Sequence, residues 1–273
     1  MQISGMSVVI TGGASGIGRE LARQAAAMGA RHIAILDINM DGAKETLQDI
    51  ENSSVHHCNV GDAKSVEKAV AAAKEAAGGI DIFFSNAGIG LGDRPHWTAY
   101  GHSDEDWQRG ININVMSHVY AARFAVPDMV GRGKGAFIIT ASAAGLLTQI
   151  GDTIYTATKF ASVGFADSLA ITHGDDGLQV SVVCPEGVAT PLTANLKGGA
   201  QDANGVKTAE EAAATILAGV EAGDYFITTH ETTPQFLMHK AQNYNRWVGG
   251  MRKFRRNLIA ANGGVPIIME EKK

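Results

Sequence analysis

Cysteine is scarce in this chain: Cys58 and Cys184 sit in separate apolar segments, and two thiols cannot form the framework of bridges that staples small secreted folds. A reducing compartment is the simpler expectation. No export signal is read, because no charged region, apolar stretch and cleavage site precede the strand expected from about Ser7. Long apolar runs are also missing. Each is broken by glycine or charge well short of the ~18 residues a membrane span needs, so no membrane partner is expected. There is no excess of positive charge either: the net charge of −5 disfavours a polyanion-binding surface, and no nucleic-acid partner is expected. The basic residues that do gather, Arg252, Lys253, Arg255 and Arg256, fit a solvated helix face or a subunit contact. Metal-ligand spacing is lacking too. His56, His57 and Cys58 are adjacent in a strand-like segment, where neighbours point to opposite faces, so no metal is expected. The final Glu270-Glu271-Lys272-Lys273 matches no retention or peroxisomal address, which leaves the cytoplasm as the expected location.

What is present is an alternation of strand-like and helix-like segments. Of the 273 residues, 45% are apolar and 19% charged, the composition of a folded globular chain. Strands are expected at Ser7–Thr11, His32–Asp37, Val55–Val60, Ile80–Ser85, Phe137–Thr140 and Gln179–Cys184. Helices are expected at Arg19–Met28, Met40–Asn52, Ala63–Ala77, Ser103–Arg132 with a bend near Pro127, and Thr153–Thr172. Helices of this length between strands imply right-handed crossovers and a parallel sheet covered on both faces. The expected fold is therefore a doubly wound α/β (Rossmann) sandwich of three layers, one domain over residues 1–273.

Such sheets bind ligands beyond the carboxyl ends of their strands, and special residues stand there. After the first strand comes Thr11-Gly12-Gly13-Ala14-Ser15-Gly16-Ile17-Gly18, whose glycines allow a tight turn and close approach of a pyrophosphate to a helix N-terminus. Asp37 ends the second strand, nineteen residues beyond Gly18, where a carboxylate accepts from both ribose hydroxyls and repels a 2′-phosphate. No arginine or lysine stands at Ser15 or just after Asp37, so NAD is expected over NADP. Asn59 and Val60 are candidates to meet the adenine, and Asn86-Ala87-Gly88 offers small residues beside the cofactor.

Tyr155 and Lys159 are four positions apart, so on a helix their side chains rise from one face with Cβ atoms ~6 Å apart. A nearby ammonium favours a phenolate and draws the tyrosine towards the working range of a base. Ser142, after the apolar run at 136–139, can set a hydroxyl beside that phenol.

Taken in order, these motifs resemble the classical short-chain dehydrogenase/reductase family over roughly residues 5–192. The resemblance implies catalytic roles for Asn114, Ser142, Tyr155 and Lys159, with Asn114 holding a proton-relay water and its neighbour Asn112 on another helix face. It implies that Lys159 also binds the nicotinamide ribose, and that Pro185, Val188 and Thr190 meet the nicotinamide. The chain departs from the family pattern at Glu186 and Ser117, where glycine is usual, and at Asn59, where aspartate is usual. Glu186 is free to bond a loop backbone or to project toward the substrate.

The activity implied is NAD-dependent hydride transfer to or from a secondary alcohol or ketone. An NAD-binding regulatory or structural module, and an epimerase or dehydratase of the same family, are the alternatives. Homologous members pair long helices across a twofold axis, so a homodimer or homotetramer is expected from Ser103–Arg132 and Thr153–Thr172. Residues 190–273 are expected to hold a lid and an extension. The lid is read at 190–208; beyond it come a helix at Ala209–Ala222, a strand at Tyr225–Thr229 and a helix at Thr233–Leu258. Phe236, Leu237, Met238, Tyr244, Trp247, Met251 and Phe254 serve core packing, a subunit contact or a pocket roof. Closed by Leu192 and Leu196, such a pocket suits an uncharged, moderately apolar small molecule. His96, Trp97, Tyr100 and His102 either wall that pocket or pack at the surface.

Overall fold

The structure is a computed structural model and describes residues 1–269; the expectation for Glu270–Lys273 lies outside the described residues. Six strands come first: β1 (Ser7–Thr11), β2 (His32–Asp37), β3 (Ser53–His57), β4 (Ile82–Ser85), β5 (Gly135–Thr140) and β6 (Leu178–Cys184). With β7 (Phe226–Thr228) they form one parallel sheet in the order β7-β6-β5-β4-β1-β2-β3. The helices are α1 (Gly16–Ala27), α2 (Met40–Leu47), α3 (Ala63–Ala77), α4 (Asp104–Ile111), α5 (Ser117–Gly131), α6 (Ala144–Leu147), α7 (Thr153–His173), α8 (Ala209–Ala222), α9 (Thr232–Gln242) and α10 (Tyr244–Ala261).

Alternation along each strand builds the two outer layers. Val9, Leu36, Phe83, Phe137 and Ile139 point to one face and pack with Val66, Ala73, Ala125, Met129 and Leu169 of α3, α5 and α7. Val8, Ile10, Ile35, Ile82, Phe84 and Ile138 point to the other, against Leu21, Ala22, Ala43, Ile216 and Val220 of α1, α2 and α8. Strands buried on both faces need no polar alternation, which is why they read as continuous apolar runs. The doubly wound three-layer expectation holds. The strand order reverses between β1 and β4, which pair through Val8–Ile82 and Ile10–Phe84. A crevice at that reversal is where this architecture takes its ligands.

Several boundaries differ from expectation for physical reasons. The helix expected to Asn52 stops at Leu47, and β3 starts at Ser53 because it pairs with β2 from Ile33–Ser53 to Asp37–His57; Cys58, Asn59 and Val60 follow the strand. The segment Ser103–Arg132 is interrupted by a π-helical turn at Asn112–Met116, while Pro127 stays inside α5 without ending it. The wider turn sets Asn114 inward, and Asn112 accepts from Gln108 on the exposed side at 2.7 Å. The helix expected at Thr233–Leu258 is two, broken at Asn243, whose side chain caps α10 by accepting from the Arg246 N–H.

Candidate active site

The glycine loop is shaped by backbone that a side chain would block. Gly12 has φ +71°, and a Cβ on Gly18 would come within 2.2 Å of the Gly12 carbonyl oxygen. No side chain caps the start of α1, so its first N–H groups face the crevice. Asp37 reaches back to the loop, accepting from Ala14 N–H at 2.9 Å, and also from Asn39 N–H at 2.8 Å. It thus shapes the loop as well as facing the cleft.

Gly12, Ser15, Gly16, Ile17, Asp37, Asn59, Val60, Asn86, Ala87, Gly88, Tyr155, Lys159, Pro185, Val188 and Thr190 all line this one cleft, of about 390 Å³. Lys159 is the one lysine or arginine among the lining residues. Two expected members lie behind it. The Thr11 hydroxyl accepts from the N–H groups of Asn86 and Ala87 at 2.9 and 3.1 Å, tying β4 to β1, and Gly18 packs on the loop from within the helix. Asn59 spends its side-chain oxygen on Gly61 N–H at 3.1 Å. The cradle fits a dinucleotide: it is narrow at the glycines, open at a helix N-terminus and acidic at the far strand end.

Tyr155 and Lys159 rise together from α7, with the Lys159 Nζ 5.5 Å from the tyrosine ring centroid. The Ser142 hydroxyl, after β5, donates to the Pro185 carbonyl at 3.3 Å and accepts from Ala144 N–H at 3.0 Å. Burial pushes the phenol up to about 12, and the neighbouring Ser142 hydroxyl opposes that rise. The tyrosine side chain is only half-buried, because it opens onto the cavity described below. Lys159 is buried and desolvation lowers it to about 8. It donates to the Thr140 carbonyl at 2.8 Å. Burial therefore outweighs the expected lowering of the phenol by the ammonium, whose hydrogen bond goes to the Thr140 carbonyl.

Asn114 lines neither cavity. Its side chain accepts from Ile89 N–H at 2.8 Å and donates to Ile89 O and Thr158 Oγ1, bracing the chain after β4 against α7. Behind Lys159, His118 is fully buried beside Ser85 and lowered to about 3 by desolvation and by that ammonium, so it is neutral.

Asp152 is a site residue that motif reasoning passed over. It caps α7 by accepting from Tyr155 N–H at 3.0 Å, and its other oxygen accepts from Leu91 and Gly92 N–H at 2.9 and 3.0 Å. The helix that carries Tyr155 and Lys159 and the loop after β4 are thereby fixed to one carboxylate. An aspartate directly before an apolar helical segment is the capping signal that marks it.

A second cavity, of about 690 Å³, opens on the other side of Ser142 and Tyr155. Its walls include Leu147, Ile150, Leu192 and Leu196, and its roof comes from the extension through Phe236, Trp247, Met251 and Phe254. Leu237 packs on the core instead, and Met238 and Tyr244 are exposed, so four of the seven tail side chains face the cavity. None of His96, Trp97, Tyr100 and His102 lines it; His102 bonds Asp93 at 3.2 Å, and Tyr100 is 87% exposed.

Glu186 lines both cavities. Its carboxylate bonds neither loop backbone nor open pocket but three side chains: Asn204 Nδ2 at 2.7 Å, and the hydroxyls of Thr232 and Thr233. Among the described residues no group of three or more potential metal-binding side chains occurs, and no helix is long and apolar enough to cross a membrane.

This constellation has known counterparts. The short chain dehydrogenase family model matches residues 6–201, and the chain belongs to that family of oxidoreductases. Oxidoreductase UcpA of Salmonella typhimurium is 34% identical over 202 residues, covering 71% of this chain and 74% of that one. The 3beta-hydroxysteroid dehydrogenase 2 of Eggerthella lenta is 32% identical, with 71% and 75% covered. Among solved structures, a short chain dehydrogenase/reductase from Burkholderia phymatum in complex with NAD superposes with a TM-score of 0.80 at 23% identity, covering 89% and 95% of the two chains, a likeness of fold.

Proposed function

We propose that this oxidoreductase moves hydride between NAD and an uncharged, apolar secondary alcohol or ketone with a bulky body. The observation that carries the reading is the placement of Ser142 and Tyr155 on the wall shared by a dinucleotide-shaped cleft and a large apolar cavity. A bound nicotinamide supplies the hydride acceptor, or the donor in reverse. Tyr155 Oη takes the carbinol proton during oxidation and returns it during reduction. Ser142 donates to the substrate oxygen and holds it in line. Lys159 binds the ribose and, once the cofactor neutralises less of its field than water would, favours the phenolate. Asn114 acts from behind the site, bracing the chain after β4 against the helix that carries Tyr155 and Lys159.

Asp37, with no cation near it in the cleft, favours NAD over NADP. The cavity volume and the likeness to a hydroxysteroid dehydrogenase support a fused or alicyclic body over a two- or three-carbon alcohol. Residues 190–208 act as the lid, and the exposed Ala157, Phe160, Ala161 and Ile171 of α7 support a homodimer or homotetramer.

The test is to incubate the purified protein with NAD⁺ and 2-butanol, cyclohexanol, 1-phenylethanol or decahydro-2-naphthol and follow NADH. NADH formation with the highest kcat/KM for the bicyclic alcohol is expected. Tighter binding of NADPH than NADH would sink the cofactor assignment. NAD binding without turnover of any carbinol would turn the reading toward a regulatory module.

A further inference from the structure

Glu186 stands at a crossing of three chain segments. Its own backbone lies between Pro185, whose carbonyl accepts from Ser142 Oγ at 3.3 Å and from Ala143 N–H at 2.8 Å, and Gly187, whose carbonyl accepts from Lys207 N–H at 3.0 Å. Its side chain accepts from Asn204, in the segment after Thr190, and from Thr232 and Thr233, at the start of α9. Thr233 is fully buried. One helical turn on from these threonines, Phe236 enters the cavity roof, and Asn243 then redirects the chain into α10 with Trp247, Met251 and Phe254. The cavity is thus enclosed by two separate pieces of chain, residues 191–204 and α9–α10, and one half-buried carboxylate bonds both.

A carboxylate here is costly unless its oxygens are occupied, and three donors occupy them. Three of its roughly four acceptor sites are taken, so the carboxylate is held in the wall instead of swinging free in the pocket. Its position in the wall beside Ser142 also means that a shift of the lid or roof is transmitted to the backbone that holds the serine.

We propose that Glu186 is the positioning residue that latches lid to roof, so that substrate affinity depends on a carboxylate that never touches the reacting atoms. This rests on the dehydrogenase reading of the same site. The latch predicts a specific pattern. Glu186→Gly, which installs the residue usual in the family, removes both arms at once. Asn204→Ala removes the lid arm, and Thr232→Val with Thr233→Val removes the roof arm while keeping side-chain shape. Glu186→Gln keeps a carbonyl oxygen for the hydroxyls, and the amide of Asn204 can turn to present its own oxygen.

The experiment measures KM and kcat for decahydro-2-naphthol with NAD⁺, the NAD⁺ Kd, and backbone amide exchange over residues 196–206 and 232–242 with NAD⁺ bound. For Glu186→Gly, KM should rise about 10-fold or more, the effect of losing hydrogen bonds to a charged group. Each single-arm set should raise KM about 2- to 10-fold, and Glu186→Gln should recover most of the loss. NAD⁺ Kd should change several-fold less than KM, and exchange in both segments should quicken in every variant except Glu186→Gln. Adding Asn204→Ala to Glu186→Gly should change nothing further, since the bond is already gone. Unchanged KM and unchanged exchange in Glu186→Gly would overturn the latch. So would a lower Tm with a smaller active fraction and unaltered KM, which is what a merely structural carboxylate gives. If none of the alcohols is turned over, the dehydrogenase reading fails, while the exchange measurements still decide the latch.

Discussion

The two cavities that meet at Tyr155 are built in opposite ways. The dinucleotide cleft is assembled mostly from residues that directly follow strands in the first 190 residues, joined by Tyr155 and Lys159 of α7 and by Pro191, Leu192 and Thr193. The larger cavity takes its floor from the same strand ends, but its roof comes from α9 and α10, at least 50 positions later in the chain. In the first, most of the wall is positioned by the sheet. The second is shaped by side chains on elements that the sheet does not hold, so its contents are easier to alter without harm to the fold. The family model follows the same division, matching residues 6–201 and leaving α8–α10 outside.

That contrast makes testable statements. The largest effect should come from the shared wall: Tyr155→Phe should keep NAD binding and lose about 10²–10⁴-fold in kcat, because only the acid/base oxygen is removed. Retention of more than about a tenth of kcat would exclude the tyrosine as the base.

On the roof, Trp247→Ala or Phe254→Ala should raise KM for a bulky alcohol about 10- to 100-fold, the worth of one buried aromatic contact, and leave the NAD⁺ Kd unchanged. An equal change in Kd and KM, read by titration and initial rates, would merge the two cavities into one coupled unit and break the comparison.

In the cleft, Asp37→Ala together with Ile38→Arg should relax the preference for NADH over NADPH, because it replaces a repelling carboxylate by a cation beside the 2′ position. Some loss of NADH affinity should accompany it, since Asp37 also holds the Ala14 N–H. Fluorescence titration with both cofactors reads this directly.

The pH dependence should be smaller still. With the phenol pushed up to about 12 and the ammonium lowered to about 8, both groups hold their protons at neutral pH. Lys159 favours the phenolate and binds the ribose only while charged, so kcat/KM in both directions should fall as pH rises through about 8 and the ammonium loses its proton. A flat profile between pH 7 and 9 in both directions would leave the pair without a titrating role.

Much of this was legible without coordinates. The glycine loop, Asp37, Asn86-Ala87-Gly88, Ser142 and the Tyr155–Lys159 spacing each sit within a few residues of a strand end or on one helical turn, and short-range rules read such patterns. The bounds of α3 and α8 were read without error for the same reason: Asp62 and Thr208 cap their N-termini, and Gly78 and Gly223 end them in the left-handed region. Other features depend on partners distant in sequence. The start of β3 is set by its ladder with β2, and the direction of the Lys159 ammonium is set by the Thr140 carbonyl on a neighbouring strand.

The chain by itself determined the sheet, the family and which residues gather at the carboxyl ends of the strands, because periodicity and turn chemistry are local properties of sequence. Tertiary structure alone decided which apolar side chains of the extension face the cavity. It also decided that Pro127 is tolerated while a π turn directs Asn114 inward, and that Glu186 bonds Asn204, Thr232 and Thr233. Those outcomes turn on which surfaces meet across 18 or more positions of sequence, and no local pattern encodes the meeting of two surfaces that the backbone brings together only when the sheet has closed.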